Sequence, residues 1–255
     1  MDFEQAKRAF EKYLDEYDRA DDKINLKIVH TYGVVSCCEE IARRMKLSAE
    51  DTMLCKLIGL LHDIGRFEQL KRFDSFEPGT MDHAKYGAEL LFKEGMIREF
   101  VEVDTWDDII CTAIDKHSDF AIEGVTDSRS LLHARLIRDA DKLDNCRVKL
   151  EENLETLLGI SPEVAGAESV SPEVWQYCLD RKSVLASARR TPMDYWISYL
   201  AYFYDIYFKE TMEIILENDY ISRIIRRVPY SNKDTAEKME ILEGMLLDYG
   251  KNMIK

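Results

Sequence analysis

Leu60-Leu61-His62-Asp63-Ile64-Gly65-Arg66 closes an apolar run on an imidazole and a carboxylate placed side by side. Upstream, Leu54, Leu57, Ile58 and Leu61 recur at the three- and four-residue spacing of one helix face. Ser48, followed by Glu50 and Asp51, supplies an N-cap with acids in the first turn, and Gly65 is read as the residue that stops the helix. A buried helix that ends on His62-Asp63 carries two groups seldom buried without a partner. One nitrogen and one oxygen donor at the same place suit a divalent cation.

The helical pattern extends along the whole chain. Leu26, Val29, His30, Gly33, Cys37 and Ile41 form one stripe, and Asp82 can cap a helix holding Tyr86, Leu90 and Leu91 that Gly95 ends. The run from Asp104 to Asp108 starts a helix leading through Ile109, Ile110 and Ile114 to His117. Ser128 to Leu158 reads as one long helix or two abutting ones. Thr191-Pro192 starts an aromatic-rich helix, and Pro229 ends its successor. No segment alternates with β-branched enrichment, so the expected class is all-α, a multi-helix bundle. A single helical domain over 1–255 is expected, with the metal core at about 24–150 and a C-terminal helical extension at 151–255. Gly159 to Val174, with Pro162, Gly166 and Pro172, reads as a loop with short helical pieces and as a mobile lid.

Composition narrows the function classes. The 255 residues are 46% hydrophobic, enough for a large core, and 35 basic against 49 acidic groups give a net charge of −14. That balance argues against a polynucleotide or anionic membrane as partner, though bound dications and a few arginines can reverse the sign inside a cleft. The N-terminus is charged from Asp2 and Glu4 onward, with no apolar signal core, and export is not expected. Cys37, Cys38, Cys55, Cys111, Cys146 and Cys178 form no CxxC pair, and read as reduced core residues of a cytoplasmic protein. The longest apolar stretch, Tyr195 to Phe208, is shorter than a membrane span and contains Asp205, which fits a buried helix or a subunit contact.

Beyond His62, five positions in or beside apolar helical patterns carry ligand-type side chains: His30, Asp63, His83, His117 and Asp141. His30 lies on the inward stripe of its helix, and Gly33 one turn on leaves space beside it. Asp141 follows Ile137 by four residues and continues a buried face. A lone inward histidine is more often a hydrogen-bonded core residue, and a lone aspartate more often a cap or an ion-pair partner. The set outweighs its members, because four of the five histidines fall into it. Helices converging on one point are how bundles build metal sites, and a His/carboxylate set without thiolate suits iron, manganese, cobalt, nickel or zinc.

In order, His30 … His62-Asp63 … His83 … His117 … Asp141 resembles the H…HD…H…H…D signature of the HD-domain superfamily of metal-dependent phosphohydrolases, in its two-metal subset. The Gly-Arg after His-Asp-Ile and the run Arg138-Asp139-Ala140-Asp141-Lys142-Leu143-Asp144 support the likeness, which spans about residues 24–150. The resemblance implies that His30, His62 and Asp141 hold a first metal, that Asp63 bridges to a second, and that His83 and His117 complete the second site. It also implies hydrolysis of a phosphoester or phosphoanhydride by hydroxide bridging the metals, because two dications lower the pKa of water and neutralise phosphoryl charge. The substrate class it suggests is a small, nucleotide-like phosphorylated metabolite.

Similar proteins often carry Lys or Arg at the position of Arg66, facing substrate phosphate; a solvated or salt-bridged arginine is the competing reading. Lys142 reads first as an ion-pair partner of Asp139 or a glutamate, and Arg189 and Arg190 as a surface pair flanking a helix. His133, eight residues before Asp141, is ~12 Å away along a helix and is left out of the ligand set. Trp196, Tyr199, Tyr202, Phe203, Tyr207 and Phe208 read as core or as a homodimer interface. Two rivals share the fold: a di-iron oxygenase, as some similar centres are, and a nucleotide-binding regulatory module without turnover.

Overall fold

A computed structural model describes residues 2–77 and 79–255, and among these there are helices and no strands. By its contacts the chain divides into two compact units, 1–144 and 145–255. The first holds α1 (Phe3–Leu14), α2 (Asp22–Met45), α3 (Ala49–Leu61), α4 (Ile64–Phe73), α5 (His83–Ala88), α6 (Ile97–Phe100), α7 (Asp107–Lys116) and most of α8 (Ser128–Glu151). The second holds the end of α8, then α9 (Leu154–Leu158), α10 (Pro162–Ala167), α11 (Pro172–Leu179), α12 (Pro192–Ala201), α13 (Lys209–Glu217), α14 (Tyr220–Ile225) and α15 (Lys233–Met253).

In the first unit α2 and α3 form an antiparallel pair whose facing sides bury Val34, Val35, Cys38 and Ile41 with Leu54, Leu57, Ile58 and Leu61. Local chemistry sets the helix starts: Asp21, Ser48 and Asp82 each accept backbone N–H groups in the first turn of the helix that follows. The α5 helix runs on as a π-turn at Glu89–Lys93 before Gly95 reverses the chain at φ +80°.

Gly65 does not end α3. The helix stops at Leu61, Asp63 steps out of helical geometry at φ −100° and ψ 17°, and α4 restarts at Ile64 with Gly65 inside it. The glycine is there for close approach: a Cβ would lie 2.3 Å from the His83 carbonyl oxygen and 2.7 Å from the Gly87 nitrogen. The α4 and α5 backbones therefore touch where His62-Asp63 and His83 are presented.

The second unit corrects one further expectation. The run from Tyr195 to Phe208 is not one helix, since α12 ends at Ala201, a 3-10 turn spans Tyr202–Asp205, and the chain is extended at Ile206 and Phe208 before α13. Of the aromatic set, Trp196 is fully buried and Phe203 is buried, while Tyr199, Tyr202, Tyr207 and Phe208 are half-buried. The segment read as a lid is hydrogen-bonded within its own unit. Ser231 and Asn232 donate backbone N–H groups to the Gly166 carbonyl at 3.0 and 3.1 Å, Thr235 donates to Glu168 O at 2.7 Å, and Ser171 donates twice to the buried Asp194 carboxylate. Arg189 donates to the Tyr202 hydroxyl and Arg190 to the Ser187 carbonyl, which occupies both within their own segment.

A polar seam joins α3 to α8. Asp51 accepts from Ser48 at 2.7 Å, from Arg129 at 2.8 Å and from His133 Nε2 at 3.2 Å. Against the burial that raises it, these bonds lower the Asp51 carboxyl to about 2.

Two outcomes follow from this packing. Gly65→Ala should destabilise the protein by about 1–3 kcal/mol in urea titration, because the clash is with backbone and not with a flexible side-chain end. For Asp51, a carboxyl lowered from 3.8 to about 2 adds stability above its unfolded pKa that disappears as pH falls through about 2. Asp51→Asn should therefore lower the urea midpoint at pH 7, with the gap to wild type closing in strong acid.

Candidate metal centre

Six ligand-type side chains from five helices gather in the first unit as two groups: His30, His62 and Asp141, and Asp63, His83 and His117. Within each group the ligand atoms lie within 4.8 Å of one another. The four imidazoles and Asp63 are buried, and Asp141 is partly exposed. The rings form a continuous series, with centroid separations of 5.7 Å for His30–His62, 5.2 Å for His62–His117 and 5.0 Å for His83–His117.

Each imidazole is aimed by its backbone position. His62 and His117 both cap the C-termini of their helices, and both donate Nδ1–H to the carbonyl three residues back, Gly59 at 2.8 Å and Ile114 at 2.7 Å. That bond makes Nδ1 the donor and turns Nε2 toward the centre. The Nε2 of His62 is fully buried with no hydrogen-bond partner, although desolvating such an atom is costly unless something binds it. His30 Nδ1 is 2.7 Å from Asp144 Oδ2, and its Nε2 is 3.0 Å from Asp141 Oδ1. The fourth, His83, opens α5 behind the Asp82 cap, and its Nε2 lies 3.1 Å from His117 Nε2 and 3.2 Å from Asp63 Oδ1.

Asp63 stands between the groups. Its Oδ2 is 3.6 Å from His62 Nε2, while its Oδ1 is 3.2 Å from His83 Nε2 and 3.6 Å from His117 Nε2. Burial raises its carboxyl, but Lys27, 2.7 Å away, and the surrounding imidazoles hold it well below the usual carboxylate range. Burial lowers His62 to about 4 and His83 to about 3, so both offer lone pairs at neutral pH. Burial also opposes a charge on His30, yet the two carboxylates beside it raise its pKa overall.

Residues 28–146, rather under half of the chain, match the family model described as HD domain. The chain carries an HD domain. No match was found among curated proteins or among solved structures. HD domains bind divalent metals and are the fold of a superfamily of metal-dependent phosphohydrolases, and the donor set here fits such ions. All six ligand-type residues lie inside the matched segment. The fit rests on chemistry visible in the HD segment itself: buried imidazole nitrogens, neutral at His62 and His83, converging with the ionised carboxylates of Asp63 and Asp141.

Arg66, on α4 of the HD domain, sits against the second group. Its Nη2 is 2.9 Å from His83 Nε2, its Nε is 3.7 Å from Asp63 Oδ1, and its Nη1 donates to Gln69 at 2.5 Å. His133 belongs to neither group and pairs with Asp51 instead.

Reading the sequence alone missed three supporting residues. Asp144, which orients His30, follows Asp141 by three residues and so shares its face of α8. Gly33 was the available signal: a Cβ there would lie 2.0 Å from Asp144 Oδ1, so the space beside His30 belongs to this carboxylate. Lys27 carried no such sign. Arg138, one turn before Asp141, donates to the carbonyls of Lys116, His117, Asp119 and Phe120 and closes the C-terminus of α7 behind His117.

Because the second partner of a ligating histidine sets its orientation, Asp144→Asn and Gly33→Ala should each weaken metal affinity by ~10–100-fold. Competition titration with a chromophoric chelator would measure it; unchanged affinity in both variants would dismiss the role given to Asp144.

Proposed function

We propose that this protein is a metal-dependent phosphohydrolase acting on a phosphoester or phosphoanhydride bond of a small, nucleotide-like metabolite, with two divalent ions. One observation carries the reading: Asp63 turns one carboxylate oxygen toward His62 and the other toward His83 and His117, so a single anion serves both groups. His30, His62 and Asp141 would hold one ion and His83 and His117 the other, with Asp63 shared. Bound there, two dications supply charge neutralisation at phosphoryl oxygens and acidify water at neutral pH.

The chain's own groups do the rest. Asp63 fixes the spacing of the donors through its contacts with three imidazoles. Arg66 brings a guanidinium to the edge of the second group, where a fork of N–H donors matches phosphoryl oxygens. Gln69, fully buried, holds that guanidinium from behind. Two cations, Arg66 and Lys27, beside an otherwise acidic chain favour a small anion over a polynucleotide. No disulfide links the six cysteines, which supports a reducing, cytoplasmic setting, and among the described residues no helix is long and apolar enough to cross a membrane.

The test joins metal analysis to a panel of phosphate esters and anhydrides assayed with Mn²⁺, Fe²⁺ or Co²⁺. Turnover with Mn²⁺ under anaerobic conditions is expected, and obligatory oxygen consumption would point to oxygenase chemistry instead. His62→Ala and Asp63→Ala should each lower kcat/KM by at least about 100-fold. Full activity in either variant would end the assignment.

A further inference from the structure

Lys27 lies on α2, one turn before His30 and one residue before the segment matched by the HD model. Its ammonium is 2.7 Å from Asp63 Oδ2 and sits over the Phe76 ring, 5.6 Å from its centroid. Side-chain exposure is 4% for Asp63 and 17% for Lys27, and Phe76 is 37% exposed. The three residues thus mark a path from the centre to solvent.

An exposed phenylalanine alone means nothing. This one is held in place. Arg66 Nη1 approaches the Phe76 carbonyl at 3.4 Å, and buried Gln69 donates to Glu77 O at 3.1 Å and to Thr80 Oγ1 at 2.8 Å. On the other side Lys23 bonds Asp74 through its carbonyl at 2.6 Å and its carboxylate at 2.7 Å, which ties the loop to α2. The ring is therefore presented by a braced loop, beside two cations that contact Asp63. An ammonium has three N–H donors, and Asp63 accepts one of those of Lys27, leaving capacity for an anion. A phosphate held by the two cations, carried on a ligand with a planar group that reaches the Phe76 ring, suits these contacts.

Building on the phosphohydrolase reading, we propose that Lys27 and Phe76 form the substrate grip, Lys27 taking the phosphate together with Arg66 and Phe76 stacking the base of a nucleoside monophosphate. Lys27 accounts for affinity toward any phosphate monoester. Phe76 accounts for the preference for a nucleotide over its sugar phosphate, because every base has a π-face and stacking is sequence-tolerant.

The experiment is calorimetric titration of the metal-loaded full chain with the phosphonate analogues of AMP and of ribose 5-phosphate, in which carbon replaces the ester oxygen and nothing can be cleaved. Phe76→Ala should weaken the AMP analogue about tenfold and leave the ribose analogue within about twofold, and Phe76→Trp should retain binding of both. Lys27→Met should weaken both ligands about tenfold, with partial rescue in Lys27→Arg and metal content equal to wild type. Equal effects of Phe76→Ala on both ligands, or none, would overturn the stacking role. Loss of metal from Lys27→Met in step with loss of binding would overturn the phosphate role, since Lys27 would then act only through Asp63. Failure of the underlying reading looks different: wild type would bind the analogues as stated and hydrolyse no phosphate ester.

Discussion

A carboxylate buried among imidazoles is the constraint around which the first unit is organised. Asp63 is almost removed from water, and an ion so placed costs several kcal/mol unless charge and hydrogen bonds surround it. Here Lys27, Arg66, His62, His83 and His117 all approach it, from α2, α4, α3, α5 and α7. Each helix that brings a partner is thereby fixed relative to the others. The compensation is also what makes the place suited to dications, since the same donors that steady an anion leave nitrogen lone pairs beside it.

Helix termini do the aiming. His62 and His117 use one device, a C-terminal position at which Nδ1 bonds the carbonyl of the preceding turn, so the imidazole satisfies an otherwise free acceptor and turns Nε2 outward. The negative end of the helix dipole then faces the position expected of a cation. Glycines make the convergence possible: Gly33 leaves room for Asp144, and Gly65 lets α4 and α5 approach backbone to backbone. The site is therefore built from close approach as much as from ligands.

The second unit is held by a different logic. Buried Asp194 completes the capping box of α12 with Thr191 and also accepts from the backbone N–H groups of Ser171 and Arg190, so one carboxylate ties the start of α11 to the start of α12. Arg227 closes the C-terminus of α8 by donating to the carbonyls of Lys149 and Glu152. These bonds tie a proline- and glycine-containing stretch, which reads as a flap, to the rest of its unit.

By itself, the sequence determined the helical class, most helix starts, the identity of the six ligand-type residues and their order, because periodicity, caps and residue chemistry are local properties. It also excluded His133, since rise along a helix is local as well. Only the tertiary structure decided that Asp144 backs His30, that Lys27 and Arg66 meet at Asp63, and that Gly65 is a contact point within a helix and not its end. Those facts depend on which surfaces of distant segments come within bonding distance. A glycine reads the same on paper whether it bends the chain or makes room for a neighbour, and a lysine reads as solvated until the fold places an anion beside it.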